Sequence, residues 1–107
     1  MKSIEYIFYL SSSYEDRLRV VAYKEKNEIL EFVVQYEAKI SGKWHPIVRY
    51  DTRHGFAHRD LLHPDGSSEK ELLSWDYNLA LTYATEELKR NWKKYRQKFE
   101  EELYDKR

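Results

Sequence analysis

From Leu30 to Ile40 apolar and polar residues alternate. Leu30, Phe32, Val34, Tyr36, Ala38 and Ile40 are separated by Glu31, Val33, Gln35, Glu37 and Lys39. A period of two sends successive side chains to opposite faces of an extended chain, so this stretch reads as a strand with one buried face. Leu18, Val20 and Ala22 repeat the pattern upstream, and Lys26-Asn27 supplies the turn between them. Ile4 to Leu10 reads as another strand, followed by a serine loop. After Ser41-Gly42, Lys43 to Asp51 resumes extended character. Asp51 to Gly55 reads as a turn and Phe56 to Leu62 as a further strand. Pro64-Asp65-Gly66 is a strong turn signal, and Ser67 to Leu73 can pair back. The expectation is an antiparallel meander of about five strands.

Hydrophobic matching chooses the register between the third strand and the next. A loop of Ser41-Gly42 alone sets Val34 against Arg49 and Phe32 against Asp51. A three-residue loop, Ile40-Ser41-Gly42, pairs Val34 with Val48 and Phe32 with Tyr50. A slip of one residue swaps the faces, so the second choice is preferred. It puts His45, Ile47, Arg49 and Asp51 on the face opposite the apolar row. In the following strand Phe56, His58, Asp60 and Leu62 share one side, and Ala57, Arg59, Leu61 and His63 the other.

At Asp76 the period changes. Tyr77, Leu81, Ala84, Leu88, Trp92, Tyr95, Phe99 and Leu103 recur at steps of three and four, which makes one stripe on a helix. Asp76 is a good N-cap. With no glycine or proline to interrupt it, a helix of about 28 residues is roughly 42 Å long. A five-residue strand spans only about 17 Å. On that comparison the outer stripe, including Trp92, Tyr95 and Phe99, needs a second surface, and a homodimer is expected to supply it. The fold class is α+β: one domain over residues 1–107, with a sheet across 4–73 and a C-terminal helix across 76–104.

Composition narrows the class further. The chain has 107 residues, with Lys+Arg and Asp+Glu balanced at 19 each, so no global field draws it to nucleic acid or to a membrane. Without cysteine there is no disulfide, thiol nucleophile or cysteine zinc site. No apolar run approaches the roughly 20 residues that span a bilayer. The start, MKSIEYIFYLSSS, is too short and too interrupted by Glu5 for a secretory signal. A soluble cytoplasmic domain is the resulting expectation. The 36% charged content, with 16% aromatic and few Gly, Pro or Gln, is similar to that of proteins from hot environments.

The candidate chemistry concentrates in RYDTRHGFAHRDLLH, residues 49–63. All four histidines (His45, His54, His58 and His63) lie between positions 45 and 63. A histidine near an arginine and a carboxylate can exchange protons near neutral pH. Cleaving RNA without a metal needs a base for the 2′-hydroxyl, an acid for the leaving oxygen and cations around the phosphate. His54 and His58 fit the proton-transfer roles, Arg49 and Arg59 the phosphate, and Asp51 and Asp60 the orienting roles. The plainer reading is a polar network bracing turn 51–55. A metal is not expected: H-x3-H on an extended segment holds its rings about 13 Å apart at about 3.3 Å per residue. No cofactor is implied. In the helix, KRNWKKYRQK (residues 89–98) can follow a nucleic-acid backbone. That adds Lys93 and Arg96 to Arg49, Arg53 and Arg59 as nucleic-acid-binding candidates. The simpler account is a solvated face whose methylene stems cover the stripe. Ten tyrosines and three tryptophans are mostly explained by packing.

RYDTRHGFAHRDLLHPDG resembles a small, uncharacterised prokaryotic family of domains of unknown function, through Arg49, Tyr50, Asp51, His54, Gly55, Phe56, His58, Arg59, Asp60 and Gly66. More distantly it resembles the TumE-like toxins of toxin–antitoxin pairs, whose core is of the RYDN-x-HG-x2-H type. Arg49, Tyr50, Asp51, His54, Gly55 and His58 match, whereas Thr52 stands where that family favours asparagine. The resemblance implies a toxin-like or RNA-directed role with a cognate antitoxin as partner. The alternative is a non-catalytic interaction module or structural subunit that dimerises through the C-terminal helix.

Overall fold

The computed structural model describes residues 1–73 and 76–105. Six strands, β1 (Lys2–Tyr9), β2 (Asp16–Glu25), β3 (Glu28–Ile40), β4 (Lys43–Asp51), β5 (Ala57–Leu62) and β6 (Ser68–Leu73), precede one helix, α1 (Tyr77–Asp105). The strands form one sheet in chain order, and every neighbour pair is antiparallel. The α+β meander with a C-terminal helix is therefore the fold, with six strands where about five were expected.

The β3–β4 register reaches the expected facing by a different route. Ile40 pairs with Lys43, so the turn is Ser41-Gly42 alone. Both residues have positive φ, 52° and 78°, the backbone that two-residue turns of type I′ require. A bulge then follows: Tyr36 pairs with Val48 but Glu37 with Pro46, leaving Ile47 as the extra residue. Beyond it Val34 pairs with Tyr50, and Gln35 with Arg49. The expected Val34–Val48 and Phe32–Tyr50 pairs are each displaced by two positions, which preserves the faces. Before the bulge the facing differs from expectation. Ile47 is buried in the core beside Val48, and His45 lies against the Phe99 ring of α1 with centroids 5.5 Å apart.

α1 covers one face of the sheet. Asp76 caps it as expected: Leu79 N–H donates to Asp76 Oδ1 at 2.9 Å. Along the stripe Ala84, Leu88 and Phe99 are buried, and Tyr77, Leu81, Trp92, Tyr95 and Leu103 pack against the same core. The Tyr77 ring meets Phe32 and the Trp92 ring meets Tyr36, so α1 runs along β3. This corrects the comparison of lengths. β3 has 13 residues, about 43 Å of strand, and α1 has 29, about 44 Å of helix. The sheet runs the length of the stripe, burying Ala84, Leu88 and Phe99 and partly covering Tyr77, Leu81, Trp92, Tyr95 and Leu103, so the comparison of lengths by itself does not call for a second copy. Among the described residues no helix is long and apolar enough to cross a membrane.

Candidate functional site

The motif RYD…HGFAHRD falls on the two adjacent strands β4 and β5. Strand alternation deals its side chains to opposite faces, building two separate polar clusters. Pairing across the sheet sets Asp51 directly opposite His58 and Arg49 opposite Asp60, all on the face away from α1. Tyr50 is opposite Arg59, and both point toward the helix. The polar half of the motif thus takes the open face that its alternation predicts.

On that open face His58 Nε2 lies 2.8 Å from Asp51 Oδ1 and 3.5 Å from Asp60 Oδ2. His58 Nδ1 is 3.3 Å from the Phe56 carbonyl oxygen. All three of these polar neighbours are acceptors. His58 is only 1% exposed, and the Phe56 ring lies beside it with centroids 5.6 Å apart. Asp51 also accepts a hydrogen bond from Arg53 N–H at 3.0 Å. Asp60 Oδ1 is buried without a hydrogen-bond partner, and Lys70 Nζ approaches it at 3.7 Å.

Beside this cluster the open face carries a groove of about 560 Å³. Val21, Tyr23 and Val33 line its apolar part, and Arg49, Asp51 and Arg53 stand together along it. Arg49 is held from the sheet side: its Nε donates to Gln35 Oε1 at 2.8 Å, and Gln35 Nε2 donates to Glu37 Oε2 at 2.6 Å. Glu37 in turn accepts from Arg17 Nε at 2.7 Å, and the Arg17 guanidinium lies 3.8 Å from the centroid of the Trp44 ring. This chain of side chains orients the Arg49 guanidinium on the sheet.

Under the helix the other half of the motif meets a buried carboxylate. Tyr50 OH donates to Glu87 Oε1 at 2.8 Å, while Tyr95 OH and Asn91 Nδ2 donate to Glu87 Oε2, each at 2.8 Å. Arg59 donates to Tyr95 OH at 3.0 Å and pairs with Glu71 at 3.5 Å. Burial first, and then the bond to Glu87, push the Tyr50 and Tyr95 hydroxyls far above the ordinary tyrosine range, so both stay protonated donors. The sequence matches the family described as Domain of unknown function (DUF7718) over residues 1–105. The chain belongs to that family. No curated protein and no solved structure matches it.

In this DUF7718 chain the structure brings together four of the six catalytic candidates: Arg49, Asp51, His58 and Asp60. Arg59 is on the other face, inside the Glu87 cluster, so the sheet separates it from them. His54 sits in the short 3₁₀ turn Arg53–Gly55 at φ 72°, exposed, with no hydrogen bond or ion pair to any described residue. Of the nucleic-acid candidates, Arg49 and Arg53 share the groove. Lys93 and Arg96 belong to the helix layer across the sheet. Arg96 is committed there, at 2.8 Å from Asp16 and 3.0 Å from Glu100. His63 bridges Glu102 at 2.8 Å and Glu69 at 2.6 Å, and those bonds, Glu102 foremost, raise its pKa above 6.5. Burial lowers the pKa of His45. Sequence reasoning missed Glu87 as the acceptor for Tyr50. Its signal was a carboxylate one position before Leu88, on the edge of the apolar stripe.

Proposed function

We propose that this DUF7718 domain is a small RNA-directed protein of the toxin-like kind, which takes a phosphate-bearing strand into the groove on its open sheet face. The observation that carries the reading is the meeting of Arg49, Asp51 and Arg53 in one groove, with Asp51 Oδ1 2.8 Å from Nε2 of the buried His58. Two guanidiniums supply bidentate donors for phosphate oxygens, and Tyr23 offers a ring for a base. In this reading Asp51 is the group in contact with the substrate, and His58 acts through it as a positioning residue. A 2′-hydroxyl gives its proton to Asp51, its oxygen attacks phosphorus, and the leaving 5′-oxygen takes a proton from water in the open groove. The resemblance of Arg49, Tyr50, Asp51, His54, Gly55 and His58 to the TumE-like core supports the same direction and implies a cognate antitoxin as partner.

Expression of wild type and Asp51→Asn in a host, with growth and total RNA followed together, tests the reading. Wild type should arrest growth and fragment RNA, and loss of general-base action should reduce cleavage by about 10²–10⁴-fold. Undisturbed growth and intact RNA under wild-type expression would remove it. One observation favours a non-catalytic binding module instead: His58 is 1% exposed. That second reading expects RNA to be bound by purified protein and left uncut.

A further inference from the structure

We propose that Asp51, His58 and Asp60 form a binding site for one divalent first-row transition cation, with His58 Nε2 and one oxygen of each carboxylate as ligands. The proposal does not rest on the RNA reading; with a cation on Asp51 that carboxylate is no longer the base, and what survives of the RNA reading is phosphate binding by Arg49 and Arg53.

The donors come first. One ligand atom from each residue can be chosen so that all lie within 4.8 Å of one another, and all three residues are buried. Zinc takes imidazole nitrogen and carboxylate oxygen at about 2.0–2.2 Å, which puts tetrahedral donors about 3.4 Å apart. The two separations from Nε2, 2.8 and 3.5 Å, bracket that spacing. The terminal torsion of an aspartate is broad, so rotation of the carboxylates can close the remaining separation.

The second observation is electrostatic. When His58 Nδ1–H is turned to the Phe56 carbonyl, at 3.3 Å, the Nε2 lone pair points between two carboxylates. Acceptors then face acceptors, in a place where ionised groups are costly without a counter-charge. A cation among them relieves that. A backbone carbonyl holding the far nitrogen of a ligating histidine is also the usual outer-shell arrangement, because it fixes the tautomer. Independently, Asp60 Oδ1 is buried with no hydrogen bond and only a 3.7 Å ion pair to Lys70 Nζ, while Oδ2 is the oxygen nearest His58 Nε2; a cation held by both oxygens, or a turn of the carboxylate, would serve Oδ1 too. Asp60 as a whole is 8% exposed, so bulk water does not solvate it instead. Mixed imidazole and carboxylate ligation favours Zn²⁺ or Mn²⁺ over Mg²⁺, which prefers oxygen and keeps its water. Asp51 lines the groove, so a fourth coordination position can open toward it. The expectation of no metal from the H-x3-H spacing considered only the His54–His58 pair. The ligands proposed instead meet across β4 and β5.

The test is isothermal titration of full-length, chelator-stripped protein with Zn²⁺, Mn²⁺ and Mg²⁺, with thermal unfolding followed in parallel. Wild type should bind one Zn²⁺ or Mn²⁺ per chain and melt at higher temperature with the ion, while Mg²⁺ gives little response. Asp60→Asn, an isosteric change that keeps the site filled, should weaken Zn²⁺ and Mn²⁺ by at least tenfold. His63→Gln, which removes the separate His63–Glu69–Glu102 cluster, should leave both affinities unchanged. Absence of binding by folded wild type would overturn the proposal. Binding that survives Asp60→Asn at full strength, or that disappears with His63→Gln, would overturn it as well.

Discussion

The Asp51 carboxylate and the His58 imidazole face each other across β4 and β5 at 2.8 Å, and it is Asp51 that lines the groove. The ring behind it is held between two carboxylates and a carbonyl. Removing the ring therefore leaves Asp51 with the Arg53 N–H, and Asp60 with Lys70, as polar neighbours. His58→Ala is expected to destabilise the fold by about 2–5 kcal/mol, since it empties a fully buried ring site and takes a polar neighbour from two buried carboxylates. Adding Asp51→Asn should recover part of that loss, because one of the two buried carboxylates is then neutral. Urea unfolding of the two single variants and the double variant measures the coupling.

Tyr50 ties the same motif to the helix. Its hydroxyl is the side-chain donor to Glu87 Oε1, while Tyr95 and Asn91 serve the other oxygen. Tyr50→Phe leaves that buried oxygen unsatisfied and is expected to cost about 1–3 kcal/mol. RNA binding in the groove should be unaffected, since the change lies on the other face. Denaturant midpoints, together with a binding measurement on the same samples, check both halves of the statement.

Gly55 separates backbone from packing effects. It sits at φ +85°, and a Cβ placed there meets nothing within 4 Å. Any cost of Gly55→Ala is thus the left-handed backbone itself, roughly 1–2 kcal/mol. Asparagine tolerates that conformation better, so Gly55→Asn should cost less than Gly55→Ala. Thermal unfolding of the two variants gives the order directly.

The strands, the N-cap and the helix stripe were legible because each rests on a local rule: period two, a capping aspartate, steps of three and four. The facing of Arg49, Asp51, His58 and Asp60 followed from alternation as well. Two features resisted. The bulge at Ile47 depends on how β4 closes against β3, and Ile47 and Val48 are both apolar, so no pattern break marks it. The Asp51–His58–Asp60 cluster depends on which residues stand opposite each other across β4 and β5. Spacing along the chain, which had paired His54 with His58, does not contain that information. The length of β3 is readable from the eleven-residue alternation, and it is the comparison with an average strand that makes the helix look too long for its sheet.

His63 gives the fold a pH dependence of known sign. It holds Glu102 and Glu69, and its folded pKa is raised above the ordinary 6.5. The stabilisation is fully present below the unfolded value and is lost as pH rises through the folded one. The stability difference between wild type and His63→Gln should therefore be larger at pH 6 than at pH 9. His45 works in the opposite direction, since burial lowers its pKa and acid disfavours its packing against Phe99. Both proteins contain His45, so the difference cancels it. A difference that grows toward pH 9 would contradict the assignment.

The groove itself is tested most directly by fluorescence anisotropy of a short single-stranded RNA, titrated across salt with wild type, Arg49→Gln and Lys93→Gln. Arg49→Gln should weaken binding and reduce the salt slope by about 0.7 for the lost phosphate contact. Lys93→Gln, on the helix layer, should behave as wild type. Failure of wild type to bind RNA, or weakening by Lys93→Gln with Arg49→Gln unchanged, would contradict the account.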